Sequence, residues 1–207
     1  FDVRSGSRAQ LDSTNDVGSS SIVVNSGGQI FLTNGTTYSN NVSLNGIGWT
    51  EAAGNLGAVR FTTGATLSGT VTLTGNSRLT TYASGDTGTI SGNIGDGGNA
   101  YGITKTGAGV LSIGGTNTFT GTTTVSEGVL RLNSTNAAPG GIRATHGVSN
   151  ISLNGGILGL GNGNLTRALG TGASQIQLAD SAGFAAYAAD RTVNFGGAAA
   201  AVTWGSG

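Results

Sequence analysis

Apolar and polar residues alternate along most of the chain, in short runs separated by turn residues. In the run 65–74, Ala65, Leu67, Val71 and Leu73 fall on one side of an extended segment, and threonines occupy most of the other side. This period of two is typical of a β-strand with one buried side. Similar runs predict further strands at 21–25, 29–33, 58–63, 89–94, 110–113, 122–126, 129–133, 151–153, 157–160, 174–178 and 192–195. Gly, Asn, Asp or Ser bounds each run, as turns require.

The runs share a template in which Gly is followed by apolar residues two and four places later. It begins at six glycines: Gly28, Gly57, Gly69, Gly109, Gly128 and Gly156. A longer similarity joins 22–35 to 151–163. Repeated strand-and-turn units of this kind are typical of solenoids and propellers.

The lengths of the runs favour a solenoid over a propeller. Propeller blades need tight antiparallel hairpins, whereas these short runs have no neighbours of matching length. Stacked parallel coils tolerate variable turns as long as the inward residues still stack. We therefore predict an all-β fold, a parallel β-helix that forms a single segment over 1–207. At roughly 20 to 25 residues per coil, the chain would form about eight to ten coils.

Composition agrees with an ordered chain. Gly, Thr, Ser and Asn make up 108 of the 207 residues, which alone would suggest a flexible linker. Val, Ile, Leu and Phe still supply 46 residues, and the net charge is zero, so the signature of disorder is missing.

Charge and cysteine content exclude several classes of partner. Nine basic and nine acidic residues create no field that would attract nucleic acid or an anionic membrane. No apolar run approaches the roughly 20 residues needed to cross a bilayer, so we expect no membrane insertion by this segment. Because Cys is absent, disulfides and thiolate metal sites are excluded.

Residues 88–134 carry an ordered series of motifs. They are Gly88-Thr-Ile-Ser-Gly92, Ile103-Thr-Lys-Thr-Gly107, Gly109-Val-Leu-Ser-Ile113, Asn117-Thr-Phe-Thr-Gly121 and Gly128-Val-Leu-Arg-Leu132. The series resembles the autotransporter-associated β-strand repeat of bacterial autotransporter passenger domains and other large secreted surface proteins. The resemblance implies a right-handed β-helix that is extracellular or on the bacterial cell surface. It also implies a structural or adhesive role, with no catalytic residues attached to the repeat.

Three segments depart from the regular pattern. Residues 1–20 hold five of the eighteen charges within the first sixteen positions, so we predict an N-terminal cap or a pairing arm. Residues 135–147 contain the single proline, Pro139, and predict a loop insertion. The uncharged tract 198–207 predicts an edge that continues into a longer chain or associates head to tail with a neighbouring subunit, giving a filament or surface layer.

The alternative function is a β-helix that binds or cleaves polysaccharides, for which two facing carboxylates would be needed. Asp86 with Asp96, or Asp180 with Asp190 and Arg191, would meet only if adjacent coils aligned them. We expect such turn carboxylates to cap backbone N–H groups instead.

Other candidate residues also have simpler interpretations. His146 is the only imidazole, and without a Gly-x-Ser-x-Gly motif we expect a solvated loop residue. The stretch 95–100 superficially matches calcium and dinucleotide turns, but it lacks the tandem repeat and the helix these require, and Lys105 follows no phosphate loop. Six aromatics are spread along the chain without the spacing of a sugar-binding platform: Tyr38, Trp49, Tyr82, Tyr101, Tyr187 and Trp204. We predict no catalytic, cofactor-binding or metal-binding residues, and a non-enzymatic structural module that has surface glycans or a host ligand as its possible partners.

Overall fold

The computed structural model describes residues 1–142 and 147–196, and these form a parallel β-solenoid of about eight turns with almost no helix. Strands of one turn pair in parallel with those of the next, so the backbone hydrogen bonds between turns run along the axis of the solenoid. The prediction of stacked parallel coils is therefore confirmed. The strands fall on three faces.

The first face begins the chain and is the least regular of the three. Its strands are β1 (Asp2–Val3), β3 (Ile22–Val24), β6 (Val42–Gly46), the first part of β11 (Val71–Thr81) and β13 (Ile94–Gly95), followed in later turns by β20 (Leu165–Thr166) and β23 (Val193–Asn194). Because β11 continues around the corner, the earlier strands of the first face share one 12-stranded sheet with the second face, whereas β20 and β23 form a separate two-stranded sheet.

The second face contains the longest continuous stack of strands. It consists of β2 (Arg8–Leu11), β4 (Gln29–Leu32), β9 (Val59–Phe61), the second part of β11, β14 (Ile103–Thr106), β16 (Thr123–Val125), β18 (Ile151–Leu153) and β21 (Ile176–Leu178).

The third face is a separate 7-stranded sheet. It consists of β5 (Thr37–Tyr38), β10 (Ala65–Leu67), β12 (Thr87–Ile90), β15 (Val110–Ile113), β17 (Val129–Leu132), β19 (Ile157–Leu160) and β22 (Gly183–Ala186).

The core is built from columns of inward side chains, in which each residue stacks on its register partner in the next turn. One column of the second face runs through Ile30, Val59, Leu79, Lys105, Val125, Leu153 and Leu178. One column of the third face runs through Leu67, Ile90, Ile113, Leu132 and Leu160. All twelve apolar residues of the six Gly templates are buried, so the template identified the core correctly.

The segment 65–74 differs from the single strand that its alternation predicts. It forms the end of one turn and the start of the next, because residues 68–70 turn the corner between β10 and β11. A Cβ on Gly69 would lie 2.2 Å from the carbonyl oxygen of Asn40, so only glycine fits at this corner. The inward residues are buried as predicted, but on two faces.

A short insertion at 47–57 interrupts the parallel stacking. It forms an antiparallel hairpin of β7 (Thr50–Glu51) and β8 (Gly54–Asn55), which the sequence did not predict. The hairpin lies on the outer side of the second face, where Gln29 donates through Nε2 to the carbonyl of Gly57 at 3.0 Å. Arg78 donates to the carbonyl of Asn55 at 2.9 Å.

The segments predicted to be irregular have defined structure where they are described. Within 1–20, β1 and β2 pair with the next turn, and a 3-10 helix at Thr14–Asp16 begins at the capping residue Ser13. Residues 133–142 and 147–150 connect β17 to β18 without a strand. The proposed roles as a cap or pairing arm and as a loop insertion stay predictions.

Candidate functional site

The members of each candidate carboxylate pair lie at different corners of the solenoid. Asp86 follows the second face in its turn, whereas Asp96 follows the first face in the next turn. Asp180 precedes β22, and Asp190 follows it. Asp86, Asp96 and Asp180 accept backbone hydrogen bonds from Ala83, Gly98 and Ser181. The prediction that turn carboxylates cap N–H groups is confirmed at these three positions.

Asp96 is the most deeply buried of these carboxylates, with 2% of its surface exposed. Its Oδ1 accepts from Gly98 N at 2.9 Å, while its Oδ2 accepts from Thr120 N at 3.0 Å, Thr120 Oγ1 at 2.9 Å and Tyr101 N at 3.2 Å. Burial raises the pKa of Asp96, but these hydrogen bonds outweigh it and hold the pKa below its ordinary value. Asp96 is thus an ionised carboxylate whose hydrogen bonds join two consecutive turns.

The stretch 95–100 is the turn that Asp96 organises. Gly97, Gly98 and Ala100 all have positive φ angles, and the chain then enters the strand β14 rather than a helix. A dinucleotide site would need a helix N-terminus at this point. The stretch is followed by a strand in place of that helix, and the absence of a dinucleotide site stays a prediction.

Lys105 occupies an inward position that an aliphatic residue fills in the neighbouring turns. Its side chain is fully buried between Leu79 and Val125, and its Nζ donates to the carbonyls of Gly107 at 2.6 Å, Thr106 at 2.8 Å and Glu127 at 3.1 Å. Burial lowers the pKa of Lys105 to about 8, against a smaller opposing effect of the Glu127 carboxylate. The Lys105 ammonium has three N–H donors, and all three are thus bound to carbonyls at the corners of two consecutive turns.

Glu127 completes this corner from the outside. Its Oε2 accepts from Gly107 N at 2.8 Å, and Gly107 has a φ of +78° with a hypothetical Cβ only 2.3 Å from the carbonyl oxygen of Thr81. Gly107 is therefore a glycine because both its backbone conformation and its surroundings forbid a side chain. The Lys-x-Gly part of the motif has a structural role.

The hairpin is attached to the second face by a group of charged and aromatic residues that we call the arginine–aromatic cluster. Its members are Arg8, Phe31, Trp49, Glu51, Arg60 and Tyr82. Glu51 Oε2 lies 3.2 Å from Arg8 Nη1 and 3.4 Å from Arg60 Nη1. The Arg60 guanidinium lies 4.5 Å from the Phe31 ring centroid and 5.2 Å from that of Tyr82. These distances are those of cation–π contacts.

Sequence reasoning missed this cluster, although the template contains a signal for part of it. Phe31 and Arg60 both lie three places after a template glycine, at the outward position, and they are register partners in adjacent strands. Aligning the six templates would therefore have paired them. The sequence gives no such signal for Trp49 and Tyr82, because the position of Trp49 depends on the hairpin and that of Tyr82 on a corner.

The other candidate tyrosines, all within the described residues, lie outside the cluster. Tyr38 is buried in the core and donates to the carbonyl of Leu11 at 2.7 Å. Tyr101 packs partly buried against the core. Tyr187 lies on the third face beneath Arg131, whose guanidinium is 4.6 Å from its ring centroid.

A groove follows the outer side of the second face from the hairpin toward the later turns. Its first hollow, of about 430 Å³, lies between the hairpin and the outward residues of β11 and β14, with Arg78, Tyr82 and Glu127 in its walls. Its second hollow, of about 570 Å³, is lined by residues such as Thr104, Thr122 and Thr124. Thr104 lines both hollows, so the two are adjacent and meet at this residue.

Two of the candidate residues, His146 and Trp204, lie outside the residues that the structure describes. Among the described residues there is no group of three or more His, Cys, Asp or Glu side chains placed to hold a metal ion. Over the same ranges, no helix has the length and apolar character to span a bilayer.

The fold and the corner geometry define the class of protein: a parallel β-solenoid whose turns are joined by capped, glycine-containing corners. The family model of the passenger-associated-transport-repeat matches residues 103–132, which include β14 to β17 together with Lys105, Gly107 and Glu127. The resemblance to the autotransporter passenger repeat is thereby confirmed, over a shorter stretch than 88–134. Neither the curated proteins nor the solved structures yielded a match to this chain.

The repeat at 103–132 and the fold together fit a passenger-like β-helix. Proteins with this repeat are generally structural rather than enzymatic, and the family implies a surface or secreted location.

Proposed function

We propose that this chain is part of a non-enzymatic, adhesive shaft displayed outside a bacterial cell. The observation that carries the proposal is the unbroken inward column of the second face, which passes from β4 to β21 in parallel register. Eight coils spaced by about 4.8 Å give a rod of roughly 35 to 40 Å. A rod of this kind holds whatever it carries at a fixed distance from its anchor.

The outer surface of the solenoid supports an adhesive role. The outer second face presents charged, aromatic and hydroxyl side chains along a groove, which is a surface suited to contacts with another molecule. Self-assembly through the ends stays a prediction. Sedimentation of the 207-residue chain over a wide concentration range measures self-association directly. A monomer at every concentration would contradict self-assembly.

The non-enzymatic part of the proposal is supported by how the acidic side chains are used. Asp86, Asp96 and Asp180 accept bonds from nearby backbone, and Glu51 is shared by two arginines. A glycosidase would need two facing carboxylates free to act as acid and base. We expect incubation with a panel of polysaccharides to release no new reducing ends, and product formation would overturn this part.

Surface display can be tested with an introduced cysteine, since these 207 residues contain none. Ala52 is an exposed residue at the hairpin tip, so Ala52→Cys in the full-length parent should react with a membrane-impermeant maleimide on intact cells. The matched control is Leu79→Cys, which places the thiol in the buried column and should stay unlabelled. Labelling of Ala52→Cys only after cell lysis would overturn the proposal.

A further inference from the structure

The groove on the second face has a chemical composition that changes along its length. At the hairpin end, Tyr82 is 44% exposed. Its ring lies next to the guanidinium group of Arg60, and Arg78 lines the same hollow. Beyond Thr104, the lining residues are uncharged, and Thr122 and Thr124 bring hydroxyls. An aromatic ring beside rows of hydroxyls suits a sugar chain, since a pyranose has an apolar face and polar edges.

The spacing of the groove matches an extended polymer. Thr104 and Thr124 are register partners in consecutive turns and so repeat every ~4.8 Å along the axis. Successive sugars in an extended glycan are separated by a similar distance. A linear polysaccharide lying parallel to the axis would therefore meet equivalent hydroxyl groups at each sugar.

The charges near the hairpin favour an acidic polymer. Three arginines, Arg8, Arg60 and Arg78, lie in the cluster and the groove wall, where Glu51 and Glu127 are the acidic members. Glu51 is already paired with two arginines, and Glu127 lies over the buried Lys105 and accepts from Gly107. Arg78 Nε is buried without a hydrogen-bond partner among the described residues. Arg78 and Glu127 are the charged residues that line the hollow itself, and the three arginines and two glutamates together leave the hairpin end with an excess of one positive charge.

We propose that this groove binds an extended, carboxylate-bearing polysaccharide. The Tyr82 ring stacks on one sugar, Arg78 binds a carboxylate, and the threonine rows hydrogen-bond the sugars that follow. This inference goes beyond the shaft role, because the rod can exist without the ligand and the ligand can bind the isolated chain.

The test is calorimetric titration of the 207-residue chain with oligogalacturonates of increasing length. We expect affinity to increase with length until the oligomer spans both hollows, and to decrease as salt is added. Methyl-esterified oligomers of equal length keep the shape but lose the charge, and we expect them to bind about tenfold more weakly. Equal binding of both forms would overturn the acidic assignment, and absence of binding by either would overturn the site.

Two variants locate the site. Tyr82→Ala and Arg78→Gln should each weaken binding about tenfold, because each removes one direct contact. The matched controls are Tyr187→Ala and Arg131→Gln, which alter an arginine–tyrosine pair on the third face. Thermal melting of each variant reports whether the fold is retained. Equal loss in the controls would overturn the groove as the binding surface.

Thr104→Trp tests the continuity of the two hollows without touching the hairpin. Thr104 lies on the outward side of β14, so the larger side chain enters the groove and not the core. We expect long oligomers to lose their affinity advantage while short oligomers bind as before. An unchanged length dependence would overturn the extended binding mode.

Discussion

Lys105 and Arg167 are both fully buried cations, but they lie in regions of different regularity. Lys105 lies inside the matched repeat, between turns whose strands pair on both sides. Arg167 directly follows β20, and its guanidinium donates to the carbonyls of Gly141 at 2.6 Å, Ser149 at 2.7 Å and Pro139 at 3.2 Å. These carbonyls belong to the connection between β17 and β18, whose described parts, 133–142 and 147–150, contain no strand.

Buried cations thus bind backbone carbonyls that the hydrogen bonds between strands leave without a donor. At a regular corner, a compact ammonium has three donors for three carbonyls, and all three are used. In the longer connection, Arg167 Nη2 donates to Pro139 and Gly141 and Nη1 donates to Ser149, while Nε remains buried without a partner among the described residues. Burial lowers the pKa of Arg167 to about 10, so the side chain remains a cation at neutral pH.

The largest expected effect is that of Arg167→Met. Three buried carbonyls would lose their donor in a connection whose described residues form no strand, and methionine would leave part of the space unfilled. We expect the free energy of unfolding to fall by about 3 kcal/mol in urea denaturation. Arg131→Met is the control, since Arg131 is only partly buried and faces outward. Equal losses in the two variants would contradict the anchoring role of Arg167.

The next effect is a pH dependence from Lys105. Because its pKa is about 8 in the folded chain and about 10.5 in the unfolded chain, the unfolded chain binds more protons between these values. Stability should therefore rise with pH in this window, by about 2 kcal/mol between about pH 7 and about pH 9.5. Denaturation at several pH values measures it. Lys105→Met should lack this contribution, and an identical rise in that variant would show that Lys105 is not its source.

The smallest expected effect is that of Lys105→Met at neutral pH. Methionine fits an aliphatic column, and relief from burying a charge offsets most of the three lost hydrogen bonds. We expect a loss of about 1 kcal/mol or less, well below that of Arg167→Met. The neighbouring outward variant Thr104→Val serves as the control in the same denaturation series. A loss as large as that of Arg167→Met would remove the distinction between the two regions.

The core could be predicted from the sequence because its signal is local. Each template glycine marks the start of a strand, and the residues two and four places later are buried on whichever face the strand joins. The corner at 68–70 was not predicted, because alternation continues across it and only the proximity of Asn40, from the preceding turn, requires Gly69. Periodicity alone does not distinguish one long strand from two strands joined at a corner.

The groove and the buried cations were harder to predict, because both depend on contacts between distant residues. Lys105 stands where alternation would place an apolar residue, and only the column from Leu79 to Val125 shows that it points inward. Arg167 has three partners that lie 18 to 28 residues earlier in the chain. Tyr82 meets Arg60 through the stacking of turns, which no local pattern encodes.

The hairpin at 47–57 has a consequence for how such a molecule can change. Ile30 and Val59 remain register partners although the second of them follows the whole insertion, so extra residues at a corner leave the columns undisturbed. Lengthening a surface loop carries only a small entropic cost. New recognition elements can therefore be grafted between Ala52 and Ala53, and the outer surface can diversify while the interior keeps its order.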